Sequence, residues 1–183
     1  MRRIFEEIDL RKEKFKKGFL EKKIKFLAKN LVVTLKRKKL FLATMESCTG
    51  GALINSITSI PGASEITKGG FVPYSIQEKI ALGIPRSLIK KYSVYSKEVA
   101  IEMAKKAIKK IKGSHIGIGI TGIISRSDPK FPEKKVGQVD IGLAFKDKIL
   151  IKRFYFPPKK ERELAKAMIT LKALEIIEEI VKK

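Results

Sequence analysis

The residues best suited to chemistry lie in one short stretch, residues 45–51, which reads MESCTGG. The apolar run 40–45 predicts a strand that ends there, and the amphipathic run 52–60 predicts a helix that follows. Ser47 and Cys48 then place a hydroxyl and a thiol beside a helix N-terminus, where backbone N–H groups can hold an anion or stabilise an oxyanion. A capped turn without catalytic function is the alternative.

A nucleophile of this kind needs a base. The single histidine, His115, begins an apolar strand, which favours a structural role and gives a Ser–His–Asp triad little support. A lysine acts as a base only when its pKa is lowered. Lys79 is the candidate, because the capping box from Ser75 to Glu78 predicts a helix start whose positive end disfavours the ammonium form. An ordinary exposed helix lysine is the alternative, and spacing does not decide which nucleophile is used.

Other kinds of site find little support. One histidine, one cysteine and no cluster of acidic residues do not make a zinc site. The chain contains neither a Walker-type phosphate loop nor a dinucleotide-binding glycine motif. We therefore expect no metal ion.

The elements that must position these residues alternate between strand and helix, which is typical of an α/β fold. Two consecutive strands near the end indicate a mixed sheet. Five strands are predicted, at 40–45, 71–74, 115–121, 136–145 and 149–156. The predicted helices begin near residues 24, 48, 75, 85, 97 and 164.

Residues 1–22 form a basic N-terminal appendage to this pattern, and residues 23–183 form the predicted domain. Ile4, Ile8, Phe15 and Phe19 could share one side of a short helix, although Gly18 interrupts it. Packing on the domain, association with another chain and partial disorder all remain open for this segment.

Composition narrows the class of protein. A chain of 183 residues suits one domain, and a single cysteine excludes an internal disulfide framework. No apolar run approaches the length of a membrane span, so we expect a cytoplasmic protein without a membrane partner. Lys and Arg outnumber Asp and Glu by 41 to 19, giving a net charge of +22. That excess favours anionic substrates and allows nucleic-acid binding, but it also occurs in proteins from hot environments.

Taken together, the motifs resemble the CinA C-terminal domain family, which includes the stand-alone nicotinamide mononucleotide deamidases. The resemblance covers residues 24–180. Its motifs are Glu46-Ser47-Cys48-Thr49-Gly50-Gly51, Pro61-Gly62-Ala63-Ser64, Gly70-Phe71-Val72 with Tyr74-Ser75 and Lys79, Ile120-Thr121-Gly122-Ile123, and Pro132-Glu133-Lys134 with Val136-Gly137.

This resemblance implies a three-layer α/β/α sandwich with a mixed, mostly parallel sheet of about five strands. It also implies an amidohydrolase without metal or organic cofactor, in which Ser47 is the nucleophile, Lys79 its base and Tyr74 a residue that orients lysine or substrate. A small phosphorylated nucleotide is the implied substrate and a homodimer the implied assembly. The implied substrate-binding residues are Cys48, Thr49, Gly50, Gly51, Thr121, Gly122 and Lys160.

The chain departs from the family in the loops. Residues 124–129 read ISRSDP where the family has Ala-Gly-Pro followed by glycines, and residues 158–160 read PKK where it has Gly-Asp-Arg. Lys160 can supply the charge of that arginine but not its planar fork. Two hypotheses follow: deamidation of nicotinamide mononucleotide, or a diverged domain that binds nucleic acid or another nucleotide without turnover.

Overall fold

The computed structural model describes residues 2–14, 16–157 and 161–182. Its strands are β1 (Arg2–Asp9), β2 (Leu42–Glu46), β3 (Thr67–Phe71), β4 (Ile116–Gly122), β5 (Gln138–Phe145) and β6 (Lys148–Tyr155). Its α-helices are α1 (Lys17–Lys38), α2 (Ala52–Thr58), α3 (Ile76–Ala81), α4 (Arg86–Tyr92), α5 (Lys97–Lys110) and α6 (Arg162–Lys182), with a 3₁₀ turn at Ala63–Glu65.

The six strands form one mixed sheet in the order β1-β6-β5-β4-β2-β3. β2 runs parallel to both β3 and β4, and β1 runs parallel to β6. β5 is antiparallel to β4 and β6, so five strands share one direction and β5 opposes them. Ends of parallel strands meet at one edge of a sheet, and the C-terminal edge of β2 and β4 is where α/β proteins commonly bind ligands.

Helices cover both faces of the sheet, which makes the predicted three-layer sandwich. α1, α2 and α6 pack on one face together with the apolar side chains of β4. α5 lies on the other face and contacts β2, β4 and β5. Its approach is close, because a Cβ built on Gly117 or Gly119 would lie 2.0 Å from a carbonyl oxygen of α5. Those two glycines therefore set the distance between α5 and the sheet.

The sheet differs from the prediction in two places. It has six strands rather than about five, since residues 2–9 of the N-terminal segment pair with β6 over eight residues. Of the residues considered for a short helix there, Ile4 and Ile8 lie in β1, Phe19 lies in α1, and Phe15 lies outside the described residues. β3 spans Thr67–Phe71 rather than residues 71–74. Thr67, Gly70 and Phe71 pair with β2, with an irregularity in register between Thr67 and Gly70, and Pro73 follows the strand end.

Two helix starts also differ from their predicted positions. α1 begins at Lys17, so the predicted boundary between residues 22 and 23 falls inside this helix. α2 begins at Ala52 instead of near residue 48, because a turn precedes it. Within the described residues, no helix combines the length and the apolar character needed to cross a membrane.

Candidate active site

Ser47 lies directly after β2, at the C-terminal edge of the sheet. Its backbone N–H donates to the carbonyl of Ile120 in the neighbouring strand β4 at 3.0 Å, which holds the turn against the sheet. The chain then reverses through Gly50 and Gly51, whose φ values of 63° and 88° lie in the left-handed region. This tight turn presents the serine side chain at the edge of the sheet rather than inside the core.

Glu46 holds the same turn in place through hydrogen bonds to its buried side chain. Its side chain is fully buried, and its two carboxylate oxygens accept the backbone N–H groups of Leu53 at 3.0 Å and Ile54 at 2.9 Å. Thr44 donates a further hydrogen bond to this carboxylate at 3.3 Å. The first turn of α2 is thus capped by the chain's own carboxylate, which ties the end of β2 to the start of the helix.

Lys79 reaches Ser47 from α3. Its Nζ lies 3.0 Å from Ser47 Oγ and 2.8 Å from the carbonyl oxygen of Pro73, and only 2% of its surface is exposed. Burial lowers the pKa of Lys79 from 10.5 to about 8, since the ammonium form loses its hydration. As predicted, Ser75 is the N-cap of α3, where its Oγ accepts the N–H of Glu78.

The structure separates the two candidate nucleophiles. Cys48 is buried, and burial raises the pKa of its thiol to about 12, so the thiol stays protonated at neutral pH. The hydroxyl of Ser47 instead lies within hydrogen-bond distance of the Lys79 amine, whose pKa is lowered. Nucleophilic chemistry at this turn therefore favours the alcohol.

A cleft of about 740 Å³ opens over this pair. We call Ser47, Cys48 and Lys79 its inner wall; residues 75–77, Val94 and Tyr95 also line the cleft. Its outer wall consists of residues 122–130, which run from the last residue of β4 into the loop before β5, together with Tyr74 and Arg162. Three cationic side chains on the outer wall, Arg126, Lys130 and Arg162, make the mouth of the cleft suited to an anionic group.

Arg162 spans the mouth of this cleft. It donates to the hydroxyl of Tyr74 at 3.0 Å and to the hydroxyl of Ser125 at 2.8 Å. The guanidinium thus bridges the segment that leads into α3 and the loop after β4. Tyr74, predicted to orient the lysine or the substrate, is 63% exposed and lines the cleft, where its hydroxyl accepts the hydrogen bond from Arg162.

The outer loop is held at one further point. Tyr95, in the segment that precedes α5, donates its hydroxyl to Asp128 at 2.8 Å, and Asp128 also accepts the N–H of Lys130 at 3.0 Å. The ring of Tyr95 meets Phe131 edge to face with centroids 5.7 Å apart. These contacts position residues 128–131 over the cleft.

The predicted substrate-binding residues divide into three groups. Cys48 and Gly122 line the cleft. Thr49, Gly50, Gly51 and Thr121 lie next to it but do not line it; Thr121 donates to the carbonyl of Val94 at 2.7 Å, and Thr49 Oγ1 is buried without a hydrogen-bond partner in the described structure. Lys160 lies outside the described residues.

Sequence reasoning missed Glu46 and Arg162 as parts of the site. A glutamate at the end of a mostly apolar strand signals a buried carboxylate that needs donors, and the start of the next helix supplies them. A positive charge in the first turn of α6 interacts unfavourably with the helix dipole. Arg162 at that position therefore indicates that its guanidinium has a hydrogen-bond partner elsewhere. Among the described residues, no three of His, Cys, Asp and Glu stand close enough to hold a metal ion.

Comparison with known sequences identifies a family. The model of the CinA C-terminal domain matches residues 24–181. A competence-damage inducible protein of Clostridium tetani is 40% identical over 123 residues, which are 67% of this chain and 30% of that protein. A protein of the same description from Thermoanaerobacter pseudethanolicus is 36% identical over 148 residues, or 80% and 35%. The chain thus spans about a third of the length of the curated relatives it matches.

Solved structures agree on the fold. The competence/damage inducible protein CihA of Agrobacterium tumefaciens superposes with a TM-score of 0.81 at 24% identity, covering 88% of this chain and 96% of that one. A CinA superfamily protein of Escherichia coli gives 0.79 at 26% identity, covering 86% and 90%. At 24% identity, the similarity to the Agrobacterium protein concerns the fold alone.

Proposed function

The chain belongs to the CinA C-terminal domain family, and from that premise we propose that it is a Ser/Lys amidohydrolase that deamidates nicotinamide mononucleotide or a closely related pyridine nucleotide. The observation that carries the proposal is the 3.0 Å approach of Lys79 Nζ to Ser47 Oγ inside a cleft, with the pKa of the lysine lowered to about 8. An alcohol next to an amine that can lose its proton near neutral pH is the minimum apparatus for acyl transfer.

The first half-reaction acylates the serine. Neutral Lys79 accepts the Ser47 proton while Oγ attacks the carboxamide carbon, and its remaining N–H groups can keep donating to the carbonyl of Pro73. The negative charge on the former carbonyl oxygen is received by N–H groups of the turn after Ser47. The C–N bond then breaks, and Lys79 returns the proton to the departing nitrogen, which leaves as ammonia.

The second half-reaction releases the acid. Water enters the position vacated by ammonia, Lys79 takes its proton, and the resulting oxygen attacks the acyl carbon. Collapse of this second tetrahedral intermediate breaks the ester bond to Ser47 Oγ and returns the proton to serine. The products are nicotinate mononucleotide and the free enzyme, with no redox change and no cofactor needed in either step.

The outer wall binds the phosphate in this proposal. Arg162, Arg126 and Lys130 bring three positive charges to the mouth of the cleft, against one acidic side chain, Asp128. We assign the main phosphate contact to Arg162, because its guanidinium already donates to two hydroxyl groups across the mouth; the role of Lys160 stays a prediction. A planar guanidinium suits a phosphate group that presents two oxygens.

The test is ammonia release from nicotinamide mononucleotide by the purified chain. We expect turnover by the wild type and a loss of about a thousandfold or more in Ser47→Ala. Ser56→Ala is the matched control, since Ser56 bonds only within α2 through the carbonyl of Leu53. Activity that survives in Ser47→Ala contradicts the mechanism, and an inactive wild type contradicts the choice of substrate.

A second candidate function is nucleic-acid binding without turnover, which the net charge of +22 favours. Affinity for single- or double-stranded DNA or RNA should then fall steeply with salt, because released counterions drive such binding. Absence of binding at low salt would exclude this candidate.

A further inference from the structure

The outward face of α1 carries an unusual pattern. Phe19, Phe26 and Val33 are 59%, 62% and 61% exposed, although large apolar side chains are normally covered. They follow one another at seven-residue intervals, so they form a single ridge along the helix of about 21 Å. Isolated exposed apolar residues need no explanation, but three in line on one helix do.

Cations border this ridge. α1 contains eight Lys or Arg residues and a single acidic residue, Glu21. Lys22, Lys25 and Lys29 lie on the same exposed face as the ridge. Lys17, Lys23 and Lys36 form ion pairs with glutamates elsewhere in the protein, whereas within the described chain no carboxylate pairs with Lys22, Lys25 or Lys29.

We propose that this face of α1 lies on an anionic lipid surface. The rings of Phe19 and Phe26 and the side chain of Val33 would enter the boundary between headgroups and acyl chains, while the neighbouring lysines meet lipid phosphates. Lysine stems can lie along apolar surface with the ammonium group in the headgroup layer. The contact is peripheral, and it departs from the sequence-based expectation of no membrane partner.

Charge and shape favour this occupant over others. A second copy of the chain would bring two strongly basic helices together. A partner helix in a coiled coil would have to bury Lys22, Lys29 and Lys36, which stand three residues after each member of the ridge, where apolar residues belong. Nucleic-acid phosphates could satisfy the lysines but would leave the apolar ridge in water.

Co-sedimentation of the full chain with sucrose-loaded vesicles tests the proposal. We expect binding to vesicles of phosphatidylcholine and phosphatidylglycerol at about 3:1, little binding to phosphatidylcholine alone, and release as NaCl rises from about 0.05 M to 0.5 M. Phe26→Ala should weaken binding by about tenfold without harming the helix, because alanine is the best helix former.

A matched pair of triple variants isolates the face. Lys22→Ala/Lys25→Ala/Lys29→Ala should weaken vesicle binding by about a hundredfold, at roughly fivefold for each charge. Lys109→Ala/Lys110→Ala/Lys112→Ala removes the same charge from exposed positions at and just after the end of α5 and should bind nearly as the wild type does.

Several outcomes overturn the proposal. Equal losses of vesicle binding in the two triple variants would show that binding depends on the overall charge. If Phe26→Ala binds vesicles as tightly as the wild type, the apolar ridge does not contribute to binding. No binding to anionic vesicles excludes it outright. Self-association that strengthens with salt and disappears in Phe26→Ala would identify a second copy as the occupant instead.

Discussion

The inner and outer walls of the cleft are built in opposite ways. Ser47 and Lys79 on the inner wall are 8% and 2% exposed, and the buried carboxylate of Glu46 holds the turn behind them. Within the outer wall, residues 125–130 and Arg162 are largely exposed and are held by a few side-chain hydrogen bonds. The fold thus fixes the Ser47 and Lys79 side chains, while the residues that would select a ligand in the proposed function lie on a loop that can vary without disturbing the core.

The sharpest test of this contrast is Lys79→Met, which should separate activity from stability. We expect amidase activity to fall by about a thousandfold, because the base is lost. At pH 7 the free energy of unfolding should rise by about 2 kcal/mol, since relief of a buried ammonium outweighs the lost hydrogen bond to Pro73. Ammonia release and urea denaturation measure the two effects, and a large loss of stability would contradict the buried-charge interpretation.

Glu46→Gln tests whether the inner wall depends on its buried carboxylate. An amide presents only one oxygen to the two N–H groups of Leu53 and Ile54, so we expect a loss of about 2 kcal/mol in unfolding free energy. We also expect about a hundredfold loss in kcat with little change in KM, since the serine shifts relative to Lys79. Unchanged kcat in a folded Glu46→Gln protein would show that the turn keeps its geometry without the carboxylate.

The pH dependence follows from the lowered pKa of Lys79. The amine must be neutral to act as a base, so kcat/KM should rise about 50-fold between pH 6 and pH 8 and level off above the pKa of about 8. The free energy of unfolding should also rise with pH. Below about pH 8 the buried lysine is charged and its full desolvation cost is present; this cost is relieved as the pH rises from about 8 toward 10.5. A rate that falls between pH 6 and pH 8 would exclude Lys79 as the base.

On the outer wall, Arg162→Ala should change binding rather than chemistry. We expect KM for a phosphorylated substrate to rise by about tenfold with kcat nearly unchanged, because Arg162 contacts Tyr74 and Ser125 at the mouth and not the dyad. Arg86→Ala, at an exposed position on α4, is the control. A decrease in kcat with unchanged KM would contradict this assignment and indicate that Arg162 takes part in the chemical step.

The smallest effect is expected for Tyr95→Phe, which removes the hydroxyl that donates to Asp128 but keeps the ring against Phe131. KM should rise about threefold as the loop loosens, while the free energy of unfolding changes by less than about 1 kcal/mol. Calorimetry and initial rates distinguish this from a structural defect, which would lower the melting temperature clearly.

Much of the framework was predictable because its signals are local. The helical spacing of apolar residues in α1, α5 and α6, the capping box at Ser75 and the apolar run of β2 identify their elements without tertiary information. Resemblance to a family then indicated Ser47 and Lys79 together. β1 was missed, because its charged residues do not alternate with apolar ones as in a typical strand. Its charges are balanced only by tertiary contacts, in which Glu6 and Glu7 pair with Lys152 and Arg153 of β6.

The sequence by itself determined the layered fold and indicated Ser47 and Lys79 as a candidate pair. Only the tertiary structure decided that Lys79 loses its hydration beside Ser47, that Cys48 is too buried to ionise, and that Arg162 meets Tyr74 across 88 residues of chain. The physical reason is that pattern and propensity act over a few residues, whereas desolvation and side-chain contact depend on which distant segments the sheet brings together.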